Sequence, residues 1–370
     1  MEPLDGAVLD LWQDRLAGDS LYHSTAWLAA MQHRSGGDGH VVLSVDEAGI
    51  VHAGAACTIL PAPKSGYGRF DPARLAVRAL AGEPPPDATA AYPSLACTVV
   101  NAYASPIRGD LTPAAAGALL EGVGALAERA ACRTVAVLYV EAAQRAALGE
   151  IARRRGYAEA VVGGRAYLPL PEGPAAGAPL SADRRRRLRH EARTFAGAGL
   201  SVRAADPRTF DAHLAGLQID QYRLYGFHGD LDHVLDSHRR TLALLGDSLR
   251  LGVVVDPDGL RLGFLTYFVY RGACYPRHFG LDQRRLPRTC FPYPNLAFHG
   301  LLDLLATETA VRRVEYGPGS YEVKVRHGCR VEPLYGYLRT DDDRLVRGWR
   351  LLGERLSGEL RPYAAEAASA

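Results

Sequence analysis

Between residues 169 and 179 the chain reads Pro-Leu-Pro-Glu-Gly-Pro-Ala-Ala-Gly-Ala-Pro. Proline fixes φ and lacks an amide donor, so a run this rich in it neither continues a helix nor joins the interior of a sheet. It therefore divides the chain. On its N-terminal side the hydrophobic spacing predicts a helix over 8–16 and a second, capped at Ser24-Thr25, that puts Trp27, Leu28 and Met31 on one face. Strand patterns follow at 41–45, 51–60 and 97–101, then helix 113–131, strand 134–140, helix 141–155 and strand 160–168. On its C-terminal side Ser181 caps a helix, and strand 200–204 precedes helices 207–225 and 231–245. The Asp256-Pro257-Asp258-Gly259 turn joins strands 249–255 and 260–270. Strand 273–281, helix 294–309, strands 311–316 and 331–338 and helix 343–356 complete the series, with a frayed tail past Arg361. The expectation is an α/β chain of two similar domains, 1–172 and 181–370, joined by a linker at 173–180. Each would hold a mixed, mostly antiparallel central sheet flanked by helices.

Composition narrows the classes. Hydrophobic content of 48% with 23% charged residues fits a soluble globular protein. A net charge of +2 argues against a general DNA-binding surface, so basic clusters have to be judged locally. The six cysteines are widely spaced with no Cys-x-x-Cys pair, which points to buried thiols and away from a structural zinc site or a disulfide framework. No apolar run reaches membrane-spanning length, and the first residues carry no signal-peptide pattern. A cytoplasmic protein is expected.

The stretch 314–328, Val-Glu-Tyr-Gly-Pro-Gly-Ser-Tyr-Glu-Val-Lys-Val-Arg-His-Gly, is the candidate floor of a site. A strand breaks at Gly317-Pro318-Gly319, at the position where open α/β sheets place ligands. Read as extended beyond the break, Glu322 and Lys324 lie two apart and share a face. Apart from Lys64, Lys324 is the only lysine in the chain. Arg277 and His278 alternate on a strand with Tyr275. Tyr293, Asn295 and His299 fall around the first turns of the next helix, with Asn295 and His299 on one face. Arg284, Arg285 and Arg288 precede that helix's N-terminus, a place favourable to anions. Helix 182–197 carries Arg185, Arg186 and Arg189 among further arginines. His228-Gly229-Asp230-Leu231-Asp232-His233 has the look of metal ligands but reads better as a helix cap, so no metal is expected. Neither Gly-x-Ser-x-Gly nor Gly-x-Gly-x-x-Gly occurs in a hydrolase or dinucleotide context.

Several stretches resemble the GNAT superfamily of N-acyltransferases, in its tandem-domain branch of FemAB-like aminoacyl transferases and peptidoglycan-biosynthesis acyltransferases. They are Ser24-Thr25-Ala26-Trp27-Leu28; Leu188-Arg189-His190-Glu191-Ala192-Arg193 with Gly199-Leu200-Ser201-Val202; Tyr275 to Gly280 with Pro292 to His299; and Gly317-x-Gly-Ser-x-Glu-x-Lys-x-x-x-Gly328. The resemblance spans nearly the whole chain, and the last motif is its most specific part. It implies tandem GNAT-like domains and amide formation from an activated acyl donor, without a bound cofactor. Acetyl-CoA enzymes of the superfamily cradle pyrophosphate on an Arg/Gln-x-x-Gly-x-Gly/Ala loop. The corresponding loop 283–289 here has no glycine. That points to aminoacyl-tRNA as the donor co-substrate, with acyl-CoA as the alternative, and to a small amine as acceptor.

Amide formation needs the amine to lose a proton, the reactants to be aligned and the oxyanion to be stabilised. Lys324 suits the oxyanion or the donor phosphate, and Glu322 or His278 suits the proton. Arg277, Tyr275, Tyr293, Asn295, His299 and Tyr321 are candidates for holding substrate. Arg284, Arg285 and Arg288, with Arg185, Arg186 and Arg189, are candidates for the donor's phosphates. A module that binds peptide or tRNA without catalysis is the alternative from a different class.

Overall fold

The structure, a computed structural model, describes residues 2–3, 6–35, 38–63, 68–80, 88–170, 181–224, 226, 228–308 and 310–367. The expected linker, 173–180, lies outside the described residues. By packing the chain falls into two compact units that are not consecutive in sequence. Unit 1 takes Met1–Arg165, Gly317–Gly319 and Val331–Ser369; unit 2 takes Ala166–Tyr316 and Ser320–Arg330. The division differs from the one expected, because the last strand and the last helix pack with the first half of the chain.

Unit 1 contains β1 (Glu2–Pro3), α1 (Gly6–Arg15), α2 (Thr25–Ser35), β2 (Asp38–Val45), β3 (Val51–Leu60), α3 (Pro72–Ala79), β4 (Ser94–Cys97), β5 (Ile107–Gly109), α4 (Pro113–Arg129), β6 (Thr134–Val140), α5 (Ala142–Arg154) and the start of β7 (Ala158–Pro169). Its strands run in the order β1-β2-β3-β4-β6, with β5 on β3. The β4–β6 pair is parallel, as the crossover through α4 requires. β6 is buried at every position, matching its uninterrupted apolar run Thr-Val-Ala-Val-Leu-Tyr-Val. Thr112 caps α4 by accepting the Ala115 amide, and Pro113 occupies the first turn, where its missing donor costs nothing. Leu119, Leu120 and Val123 of α4 then join Val42, Cys57, Leu95, Val137 and Leu148 in one core.

Unit 2 contains α6 (Ala182–Gly197), β8 (Ser201–Ala205), α7 (Ala212–Leu224), α8 (Leu231–Leu245), β9 (Leu249–Val255), β10 (Arg261–Tyr270), β11 (Ala273–Leu281), α9 (Pro292–Pro294), a π turn over Asn295–His299, α10 (Gly300–Leu305), β12 (Arg313–Gly317) and α11 (Tyr321–Arg326). Its sheet order is β8-β9-β10-β11-β12. All neighbours are antiparallel except β11 and β12. α7 and α8, with Phe210 just before α7, cover one face through Leu214, Leu217 and Val234, against Leu251, Val253 and Phe264. Asp230 caps α8 by accepting the His233 amide, so the His-Gly-Asp-Leu-Asp-His run is a helix start here.

The chain then returns to unit 1 with β13 (Arg330–Thr340) and α12 (Asp343–Ala367). β13 pairs antiparallel with β6, and Tyr337 enters the first unit's core. Trp349 is fully buried and donates its indole N–H to the Ala158 carbonyl. α12 crosses α3 so closely that a Cβ on Gly348 would run into the carbonyl oxygen of Ala76. Gly348→Ala is therefore expected to cost about 1–3 kcal/mol, read as a lower urea midpoint at unchanged slope.

Several local expectations are corrected. The strand expected at 97–101 is β4, at Ser94–Cys97. The tail expected to fray past Arg361 remains helical to Ala367. The segment expected to be extended after Gly319 is a helix, α11, and this changes the geometry of the candidate site.

Candidate active site

The parallel strands β11 and β12 pair at only two positions, Ala273 with Arg313 and Cys274 with Val314. β11 then runs on to Leu281 and β12 to Gly317 without pairing to each other. Two parallel strands that part in this way leave a wedge beyond their carboxyl ends, where open α/β sheets admit ligands. On β11 the register against β10 slips between Thr266, opposite His278, and Tyr267, opposite Pro276, which makes Arg277 a bulge. A bulge bends its strand and re-aims the side chains beside it. The Thr266 hydroxyl steadies this one by accepting from the His278 amide and donating to the His278 carbonyl.

Across the wedge, β12 ends in Gly317, Gly319 and Ser320, whose φ values are 65°, 75° and 49°. Glycine adopts this left-handed region at no steric cost, whereas Ser320 is strained there. The turn starts α11, and the helix stops in a Schellman arrangement. The Cys329 amide bonds back to the Lys324 carbonyl and the Gly328 amide to that of Val325, with Gly328 at φ 94°. The Lys-x-x-x-Gly spacing thus includes a helix stop. Within α11 Lys324 points inward: it is 4% exposed, and its Nζ donates to the Tyr316 carbonyl at 3.0 Å. Burial pushes its pKa down to about 8. The same burial raises the nearby Cys329 thiol to about 12. Tyr316 is anchored in turn, its hydroxyl donating to the Ala297 carbonyl and its ring lying 4.7 Å from Phe298.

Helix geometry separates the pair expected to act together. Residues two apart on a helix face different ways. Glu322 is exposed and accepts from Arg326, while Lys324 is buried. The expectation that Glu322 and Lys324 share a face is overturned, and with it the reason for making Glu322 the base. His278 is half-buried. Its Nδ1 lies 3.3 Å from the Tyr222 hydroxyl, to which the Gln218 amide donates at 2.6 Å. Tyr275 is 2% exposed and belongs to the core, which leaves it no surface for a substrate. Tyr293 is half-buried, its ring 5.1 Å from Phe279 and 6.2 Å from Phe298. Tyr321 is half-buried at the start of α11.

Asn295 and His299 do share a face, although through a π turn. Asn295 is 3% exposed, and its amide donates to the carbonyls of Phe291 and Glu191. His299 meets the carboxylate of the same Glu191, Nε2 to Oε2 at 3.5 Å, and His327 meets that oxygen at 3.0 Å. Burial, with His327 beside it, holds His299 below the ordinary histidine pKa. Glu191 and His327 were not singled out in the sequence. They are 136 residues apart, and only the fold brings them together.

The arginine loop offers an anion side chains rather than backbone amides. Arg284, Arg285 and Arg288 are exposed. The Asp282 carboxylate accepts the amides of Arg284 and Arg285, and the Asp282 carbonyl accepts that of Leu286. The following helix opens Pro292-Tyr293-Pro294, so of its first three residues only Tyr293 carries an N–H. On α6, Arg185, Arg186 and Arg189 are exposed, and Arg186 pairs with Asp183 at 3.1 Å. In unit 1 a separate open cleft of about 620 Å³ is lined by Arg145, Arg153, Arg350, Glu150, Glu159 and Tyr337. No motif announces it, because its residues come from four separate elements.

No protein-family model matches the sequence, and no curated protein matches it. Among solved structures the chain is similar to FemX, at 12% identity over 91% of this chain and 97% of that one, with a TM-score of 0.58. It is also similar to L-PGS from Bacillus licheniformis (13% identity, 95% and 98% covered, TM-score 0.52). A third likeness is to the C-terminal domain of a putative lysylphosphatidylglycerol synthetase from Agrobacterium fabrum (13% identity, 94% and 96% covered, TM-score 0.52). The chain shares the fold of these structures, FemX among them, which accords with the resemblance drawn from the sequence motifs.

Proposed function

We propose that the chain is an amide-forming acyltransferase that moves an aminoacyl group from tRNA to a small amine, with the acyl carbon held in the wedge between β11 and β12. The observation that carries this reading is the parting of those strands after two pairs, with the buried Lys324 ammonium beside the end of β12. The amine nitrogen attacks the ester carbonyl. The C–N bond forms, the C–O bond to the ribose breaks, and the amine's proton ends on the departing ribose oxygen. Lys324, while protonated, donates to the oxyanion of the tetrahedral intermediate. His278, whose Nδ1 lies beside the Tyr222 hydroxyl that accepts from Gln218, takes the proton of the attacking amine. Names of similar structures, FemX and a lysylphosphatidylglycerol synthetase domain, accord with aminoacyl transfer.

The loop supports tRNA as the donor. With the amides of Arg284, Arg285 and Leu286 already bonded and two prolines opening the helix, a pyrophosphate finds no backbone cradle there. Exposed arginines on the loop and on α6 provide the charge that a longer polyanion needs. Incubating the purified protein with labelled charged tRNA, or with acyl-CoA, and an amine-rich extract tests the reading. Ribonuclease-sensitive formation of base-stable label is expected; transfer from acyl-CoA that ignores ribonuclease would refute the tRNA donor. Replacing Arg185, Arg186 and Arg189 together with Ala is expected to weaken tRNA binding and to flatten its log–log salt dependence by roughly 2 to 3 units.

A further inference from the structure

α6 is arginine-rich and largely exposed, but it turns Glu191 inward together with Phe195. The Glu191 side chain is 4% exposed, and its Oε2 faces His327 Nε2 at 3.0 Å and His299 Nε2 at 3.5 Å. His327 is also fixed at its other nitrogen, with Nδ1 lying 2.7 Å from the Val323 carbonyl. A carbonyl only accepts, so Nδ1 donates to it, and Nε2 is the nitrogen left to face the carboxylate. His299 Nε2 is buried as well and has no hydrogen-bond partner. Three atoms able to ligate thus converge, with the Arg187 guanidinium 3.7 Å from the other Glu191 oxygen, Oε1. The Nε2 atoms of His299 and His327 and a Glu191 oxygen all lie within 4.8 Å of one another.

We propose that Glu191, His299 and His327 bind a divalent first-row transition ion, with zinc the best match, which locks α6 and the π turn onto α11. Two imidazoles and one carboxylate form a three-ligand zinc set that leaves a fourth position for water. Ligands about 2.0–2.2 Å from a tetrahedral zinc stand roughly 3.3–3.5 Å apart, close to the 3.0 and 3.5 Å between Glu191 and the two imidazoles. The outer contacts are those of a held ligand. The Val323 carbonyl sets the tautomer of His327, and the Phe298 ring, stacked on it at 4.2 Å, sets its plane. An ion there would fix α11 one turn from Lys324. The role is structural, and it stands whether or not the acyl-transfer reading does.

The full-length protein, stripped with chelator and titrated with zinc chloride, tests the site by calorimetry and thermal melting. About one equivalent is expected to bind with a rise in Tm, and cobalt(II) in its place is expected to give the intense visible bands of a tetrahedral ion. His299→Ala removes a ligand whose Nε2 makes only a long 3.5 Å approach to Glu191 in the metal-free fold. It should leave the metal-free Tm nearly unchanged and weaken zinc at least about a hundredfold. Glu191→Gln, close in shape, should do the same to zinc. No stoichiometric zinc, or a zinc-induced rise in Tm that survives His299→Ala, would overturn the assignment and leave Glu191 as the partner of a protonated His327.

Discussion

Lys324→Met is expected to lower the rate of amide formation by roughly a hundredfold to a thousandfold, the usual cost of deleting one donor to an oxyanion, while unit 2 stays folded. Methionine fills a similar volume, so the variant loses the charge and the hydrogen bond to Tyr316 with little change in packing. The charge also gives the rate a pH signature. Burial brings the Lys324 pKa from 10.5 down to about 8. If the protonated amine is the active donor, kcat falls as pH rises through about 8, and Lys324→Met loses that limb of the profile. Stability moves the other way. Below pH 8 the folded and unfolded chains both carry the proton, and the fold bears the cost of a buried ammonium. Between 8 and 10.5 the folded lysine is neutral while the unfolded one is still charged, so wild type gains on the variant as pH rises, by up to about 3 kcal/mol. Denaturant titrations of both proteins at pH 7 and pH 10 check the sign. A variant equally active at all pH values would remove Lys324 from the chemistry.

A fragment ending at residue 172, the boundary suggested by the proline-rich stretch, is expected not to fold. Such a fragment keeps β6 but not β13, its antiparallel neighbour. It also loses Tyr337, Leu338, Leu345, Trp349 and Leu352, all at most 3% exposed. At about 2 kcal/mol for each large apolar side chain removed from the core, the loss is on the order of 10 kcal/mol, as large as the whole stability of an ordinary domain. No cooperative thermal transition should be seen for residues 1–172, whereas the full chain should melt cooperatively. A sharp transition in the fragment would mean that β13 and α12 are accessory to the first unit.

These two predictions mark where the sequence was legible and where it was not. Strands with strong local signals, such as β6, β9 and β11, lie where their apolar patterns put them. Ser181 caps the helix it was expected to cap, and the helix cap read in 228–233 is made by Asp230. The motifs led to the right fold and to the strand end that carries Lys324. Non-local pairing was hidden. Nothing in the pattern of 331–338 says that this strand crosses back to β6, because an apolar alternation does not name its partner. α11 was missed for a local reason. Val323 and Val325 around Lys324 mimic strand alternation, whereas the informative cue was Gly328, a helix stop four residues after Lys324. The Glu191–His299–His327 cluster was illegible because its members come from three helical segments and make sense only together.

On the proposed reading the acyl donor occupies the wedge where β11 and β12 part. Hydrogen exchange of the full chain with and without a non-hydrolysable, amide-linked aminoacyl-adenosine is the decisive test. New protection is expected in 275–281 and 314–317 and none around Arg145 and Arg350 in the cleft of unit 1. Protection confined to that cleft, with β11 and β12 unchanged, would contradict it.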